Sequence, residues 1–214
     1  MRRFSPGSRE RGYYLTGQGC SATPQLDFLG DHQMKIFIIV GMPASGKNLA
    51  RVYAESKHIP YFATGDLVRA EVKKRGLDPT PENTGRVSTE LRGKDGLGVT
   101  RLVLVSALQS GHPAVFMEGM RSWPEIELIR QKAEGILVAF IAPKGVRSKR
   151  VAARGRSDDS PAQFDERDSR EIQYGAAVPI ALADEYILNT GTTEEAAAVL
   201  DRIVKKYSLW SQKS

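Results

Sequence analysis

The sequence predicts an α/β fold in which a parallel sheet is covered by helices, and three observations carry that expectation. Apolar, β-rich runs recur at Ile36–Val40, Ile59–Phe62, Ala114–Met117, Ile136–Ile141 and Glu185–Leu188. The segments between them place apolar residues at helical spacing, and strand–helix alternation of this kind builds parallel sheets. The first run ends in Gly41-Met42-Pro43-Ala44-Ser45-Gly46-Lys47-Asn48, directly before a helix-like segment at Asn48–Glu55. That strand–loop–helix order is the context a phosphate-binding loop requires.

Taken in order, residues 1–33 are rich in Gly, Ser, Arg, Thr and Gln without sustained periodicity, and read as a disordered tail. Met34 stands immediately before the first strand, so a mis-assigned start is the second reading of that segment. Residues 34–214 are then one domain. In its loop, glycines at both ends let backbone N–H groups turn toward phosphate oxygens, and Lys47 supplies a mobile cation for the outer phosphates. The final position of such loops carries a Ser or Thr hydroxyl for Mg²⁺, and here Asn48 offers an amide oxygen instead.

After the second run comes Thr64-Gly65-Asp66-Leu67-Val68-Arg69, a glycine turn opening a helix, with Asp66 and Arg69 placed to grip a second anionic substrate. About fifty residues separate the second and third runs, more than one crossover helix needs, so several helices are expected there. Thr80-Pro81-Glu82 supplies a cap, a first-turn proline and an early acid before a helix over Thr84–Arg92. The region 64–110 is read as a helical insert that binds the acceptor. The third run closes on Glu118-Gly119, where a carboxylate at a strand end can hold a Mg²⁺-bound water, and Arg121 follows in the same crevice.

Residues 147–175 hold the densest arginine run, with Arg147, Arg150 and Arg154 on one helix face. Guanidinium forks delivered by a closing lid suit the charge of a transferring phosphoryl group, and a solvated charge run is the plainer alternative. Thr192 and Glu195 form a capping box before a last helix at Ala196–Tyr207.

Composition bounds the function more loosely. The chain has 214 residues, 41% of them hydrophobic, and 31 Lys plus Arg against 25 Asp plus Glu, a net charge of +6. That balance favours anionic partners, with nucleotides, phosphorylated metabolites and nucleic acid all open, although no RNA-binding motif or zinc-ligand spacing is present. The single Cys20 excludes an internal disulfide framework and fits a reducing cytoplasm. No apolar run reaches membrane-spanning length, and no signal-peptide core follows Met1-Arg2-Arg3, so no membrane association and a cytoplasmic location are expected.

Together these motifs resemble the adenylate-kinase-like nucleoside monophosphate kinases among P-loop NTPases, over residues 34–207. Gly41–Asn48 is similar to that group's phosphate loop, Gly65-Asp66 to Arg69 to its monophosphate-binding helix, and Glu118-Gly119-Met120-Arg121 to its D-G-x-x-R-like segment. Arg154-Gly155-Arg156-Ser157-Asp158-Asp159 resembles its lid signature, Arg167 its later arginine, and Asn189-Thr190-Gly191 the loop beneath the adenine. A narrower likeness is to an uncharacterised archaeal family of adenylate-kinase-related proteins, carried by Pro79-Thr80-Pro81-Glu82-Asn83, Glu118-Gly119-Met120-Arg121-Ser122 and Ala181-Leu182-Ala183-Asp184. The resemblance implies a three-layer sandwich with a five-stranded parallel sheet in the order 2-3-1-4-5 and a small arginine-rich lid. It also implies ATP and Mg²⁺ as cofactors.

The sequence-level expectation is therefore a phosphotransferase that moves the ATP γ-phosphoryl to a nucleotide-like or small phosphorylated acceptor. Lys47, Arg150, Arg156 and Arg167 are its expected catalytic residues; Gly41, Met42, Pro43, Ala44, Ser45, Gly46, Lys47, Asn48 and Gly191 hold the nucleotide. Asp66, Arg69 and Arg121 bind the acceptor, and Asn48 with Glu118 attend the metal. The alternative is a regulatory or adaptor protein that binds ATP with slow or no hydrolysis, motivated by Asn48 as a weaker, neutral ligand.

Overall fold

The computed structural model describes residues 34–154 and 160–209. Five strands form a single all-parallel sheet: β1 (Lys35–Val40), β2 (Tyr61–Ala63), β3 (Ala114–Glu118), β4 (Glu134–Ile141) and β5 (Glu185–Leu188), in the order β2-β3-β1-β4-β5. The anticipated topology is the observed one. Nine helices among the described residues connect and cover them: α1 (Asn48–Ser56), α2 (Thr64–Lys74), α3 (Pro81–Arg92), α4 (Gly98–Gln109), α5 (Trp123–Arg130), α6 (Lys144–Arg154), α7 (Pro161–Gln173), α8 (Ala177–Ala181) and α9 (Thr193–Leu209).

Because successive strand side chains point to opposite faces, a strand covered on both sides must be apolar at every position. Ile36, Ile38 and Val40 of β1 pack with Met117, Leu137, Val103 of α4 and Ile126 of α5 on one face. Phe37 and Ile39 pack on the other with Phe116, Val138, Tyr53 of α1 and Leu200 of α9. The result is three layers, helices on both sides of the sheet. A smaller core of Val68, Val72, Val87 and Val99 joins α2, α3 and α4, so the segment between β2 and β3 has packing of its own.

The main departure from the expected elements lies at β2, which begins at Tyr61 rather than Ile59. The Ile59 N–H is turned back to the carbonyl of Ala54 at the exit of α1, and Pro60 has no N–H, though its carbonyl accepts from Phe116 at 2.9 Å. Two helices begin earlier than read, α3 at Pro81 and α9 at Thr193. Thr80 caps α3 by accepting from the Asn83 N–H at 3.2 Å, and Thr192 and Glu195 make the anticipated reciprocal box with bonds of 2.9 and 3.2 Å.

Two of the quoted phrases serve the fold itself. Asp184 accepts from the Leu137 N–H at 2.7 Å and from Arg130 at 2.6 Å, which seats the start of β5 against β4 and α5. Asn83 donates to the Asp78 carbonyl at 2.9 Å and tightens the turn into α3.

Candidate nucleotide and acceptor site

The cleft opens at the carboxyl ends of the central strands, where β1 gives way to the loop and β3 ends in Glu118. Ile39 pairs with Glu118 and Val40 with Ala139 across the sheet, so these ends lie side by side. The loop's backbone explains its composition. Gly41 has φ of +149° and a Cβ there would lie 2.5 Å from the Phe140 carbonyl oxygen; Gly46 has φ of +97° and a Cβ there would lie 1.9 Å from Nδ2 of Asn189. Ala44 also takes a left-handed conformation, with φ of +59°.

Asn189 is buried, donates to the Ser45 carbonyl at 2.9 Å, and receives Arg150 on its own carbonyl at 2.9 Å. Arg150 reaches Ala44 as well, at 3.4 Å. The segment after β5 is thus bonded to the phosphate loop, a connection invisible in the spacing of the two motifs. A pocket of about 290 Å³ lies beside it, lined by Gly46, Asn48, Leu49, Val52, Arg150, Asn189, Gly191 and Thr193. Gly191 and the loop, both expected to hold the nucleotide, therefore border the same space.

Three features fit this loop to an anion. No side chain caps α1, so its positive end faces the loop uncovered by a side chain, while its Leu49 and Ala50 N–H groups donate to the Gly46 and Lys47 carbonyls at 3.0 and 2.9 Å. The buried Ser45 hydroxyl oxygen has no hydrogen-bond partner. The Lys47 ammonium donates to the carbonyls of Gly41 at 2.7 Å and Met42 at 3.2 Å, held across the loop by its own backbone. Burial pulls its pKa below the ordinary lysine value, and Glu118 and then Glu171 pull the other way. For the cation, Asn48 stands exposed at the first residue of α1 and borders the pocket, and Glu118 is half-buried at the end of β3. Among the described residues there is no cluster of three or more His, Cys, Asp or Glu built to hold a metal. An amide oxygen and one carboxylate suit a cation carried largely by phosphates and water.

The Glu118 carboxylate accepts a hydrogen bond from the Tyr61 hydroxyl at 2.7 Å, and Arg51 lies over the Tyr61 ring with 4.5 Å to its centroid. Burial first, and then Glu118, push the Tyr61 pKa up, so the phenol stays a donor. Sequence reasoning missed both Tyr61 and Arg51. The only available signal was their place in the elements that precede the Gly65 turn, Arg51 in the first turn of α1 and Tyr61 at the start of β2.

At the start of α2, where the acceptor residues are expected, Asp66 binds Arg51 at 2.6 Å and Arg69 at 2.5 Å. Burial opposes its charge, but the hydrogen bonds from Arg51 and Arg69 outweigh that and hold the carboxyl below the usual range. Arg69 is exposed. Gly119 has φ of +103°, and a Cβ there would meet the Thr64 hydroxyl at 2.0 Å, which brings the end of β3 against the start of α2. Arg121 is positioned through its backbone: its N–H donates to Glu125 at 2.8 Å, in a capping interaction that also takes the Ser122 N–H at 2.9 Å. Its side chain pairs with Glu171 of α7 at 2.8 Å.

The arginine run divides. Arg147 is buried and makes a two-pronged pair with Asp168 of α7, at 2.7 and 2.6 Å, while also donating to Pro43 at 3.1 Å and Ala142 at 3.2 Å. It ties α6, α7 and the phosphate loop together. Arg167 is half-buried on α7 and shares a face with Glu171 and Tyr174 by spacing. Arg156 lies outside the described residues.

Comparison with known proteins adds the lineage. Residues 40–165 match the family described as an AAA domain. A UPF0200 protein of Methanosarcina acetivorans is 39% identical over 179 residues, which is 81% of this chain and 96% of that protein. Among solved structures, TT1252 from Thermus thermophilus superposes with a TM-score of 0.57 at 19% identity, covering 82% of this chain and 98% of that one. Shikimate kinase from Acinetobacter baumannii, solved with shikimate, gives 0.51 at 16% identity, covering 85% and 95%. At such identities the likeness is one of fold.

Proposed function

We propose, for a chain that belongs to the UPF0200 family and carries the AAA-domain match over 40–165, that it is an ATP-dependent phosphotransferase whose acceptor is a nucleotide-like or small phosphorylated molecule. The observation that carries this reading is the side-by-side placement of two anion-handling ends. The phosphate loop follows β1, and its paired neighbour β3 ends in Glu118, with Arg121 three residues further on.

Lys47 and the loop amides hold the β and γ phosphates, and the pocket beside Gly191 takes the nucleoside. Mg²⁺, bound with ATP, neutralises phosphate charge; Asn48 and Glu118 are the residues that would attend it. Arg121, with Arg69 and the Asp66-held end of α2, receives the acceptor. Arg150, Arg156 and Arg167 come from the lid segment 147–175 to stabilise the transferring group. Little covalent chemistry falls to the protein, so positioning and charge neutralisation supply the acceleration.

The fold shared with shikimate kinase from Acinetobacter baumannii, solved in complex with shikimate, supports this reading at the level of architecture. Phosphate transfer from ATP to a panel of nucleoside monophosphates, dephospho-coenzyme A and water is the test. Acceptor-stimulated ADP release, falling about 10²-fold or more in Arg156→Ala or Arg167→Ala, is the expected result. Near-wild-type rates in both variants would overturn those assignments.

Asn48 supports a second reading, a nucleotide-dependent regulator with slow turnover. In that case ATP binds tightly and no acceptor accelerates ADP release.

A further inference from the structure

The last turn of α7 and the residue that caps it bring two unlike groups to one arginine. Glu171 accepts from Arg121 Nε at 2.8 Å, and the Tyr174 ring lies 5.3 Å from the same guanidinium. Arg92, at the end of α3 in the segment between β2 and β3, faces that ring at 5.0 Å. Gly175 ends the turn with φ of +93°, and a Cβ there would stand at ordinary contact distance, 3.5 Å, from the Arg121 carbonyl oxygen, so the helix terminus neighbours the segment that follows β3. Glu171 is also, after Glu118, the second carboxylate whose charge acts on Lys47. A single carboxylate from the lid thus lies within electrostatic reach of the cation for the donor phosphates and in contact with the arginine assigned to the acceptor.

We infer that Glu171 is a specificity-determining residue of the acceptor site, an internal anion that occupies Arg121 until an acceptor phosphate displaces it. The inference rests on the two-substrate reading of the cleft and narrows it. An acceptor must present, at the end that meets Arg121, a group at least as anionic as a carboxylate; a neutral hydroxyl does not compete. A phosphate monoester, with up to two charges and three oxygens, outcompetes one carboxylate on a guanidinium. Its arrival also frees α7 from one of its contacts with the strand end, so acceptor binding and lid movement share a contact. The Arg147–Asp168 pair keeps α7 attached to α6 throughout.

The test uses the full chain saturated with a non-hydrolysable ATP analogue, into which inorganic phosphate is titrated by calorimetry at low salt. Glu171→Gln keeps the side chain's shape and removes the competing charge, and should bind phosphate about threefold or more tightly than wild type. Glu171→Asp, which keeps the charge, should stay near wild type. The difference should shrink as salt is raised. Equal or weaker phosphate binding in Glu171→Gln, or no measurable phosphate binding in either protein, overturns the inference. Binding of the ATP analogue to wild type, measured first, reports separately on the nucleotide reading: if it fails, that reading falls and the inference that rests on it falls with it.

Discussion

The buried pair between Arg147 and Asp168 offers a prediction whose size follows from its surroundings. The side chains are 8% and 11% exposed, and their two bonds measure 2.7 and 2.6 Å. Asp168→Ala leaves a guanidinium in the interior with only two carbonyls, of Pro43 and Ala142, as acceptors. An uncompensated buried charge of this kind costs about 3–5 kcal/mol. For a chain of this size each kcal/mol moves the melting temperature by about 2–4 °C, so a fall of about 6–20 °C is expected. Replacing both partners, as Arg147→Met with Asp168→Leu, removes the charge and the need to solvate it together, and should come within about 2 kcal/mol of wild type. That double variant still loses the bond to Pro43, so it should fold well and yet bind ATP less tightly. Urea denaturation followed by circular dichroism, with ATP titration on the folded proteins, measures both effects. A cost below about 1 kcal/mol for Asp168→Ala, or a double variant as unstable as the single one, would refute the reasoning.

Three further outcomes are expected. Gly46→Ala forces a Cβ onto the Asn189 amide at a positive φ, which should cost about 1–3 kcal/mol of stability and abolish ATP binding by calorimetry. Asn48→Ser and Asn48→Thr should leave thermal stability unchanged, because Asn48 is exposed, and strengthen Mg²⁺-dependent nucleotide binding or turnover; lower activity in both would show the asparagine to be adapted. The Asp66 carboxyl has its folded pKa below its unfolded value, so its contribution is complete above pH of about 4–5 and is lost as pH falls through the folded pKa. Asp66→Asn should therefore flatten the acid limb of a stability–pH curve, and an unchanged limb would show the ion pairs to Arg51 and Arg69 to be energetically silent.

How much of this was legible beforehand depended on the range of each interaction. The apolar runs of β1, β3 and β4 needed only local pattern, because strands covered on both faces are apolar through their buried length, whereas β5, at the sheet edge, buries only Ile187. The end of β2 misled because Ile59 looks like a strand residue, while its N–H is claimed by the exit of α1. Caps such as Thr192 with Glu195 were readable because both partners lie within four residues; Ser122 with Glu125 follows the same rule and went unnoticed. Tyr61 on Glu118, Asn189 on Ser45 and Arg147 on Asp168 join residues 57, 144 and 21 positions apart, and no local pattern marks them.

The sequence by itself determined that a strand, a glycine loop with Lys47 and a helix follow one another, and that the chain alternates strands with helices. Those properties are written in neighbouring residues, as hydrophobic period and backbone freedom. Only the tertiary structure decided how the arginines are shared out. Spacing placed Arg147 and Arg150 on one face of α6, but packing buried the first against Asp168 and laid the second against Ala44 and Asn189. It likewise gave Arg121 the carboxylate of Glu171 as its partner. A guanidinium's role depends on which anion or carbonyl stands within about 3 Å of it, and that is fixed by long-range packing.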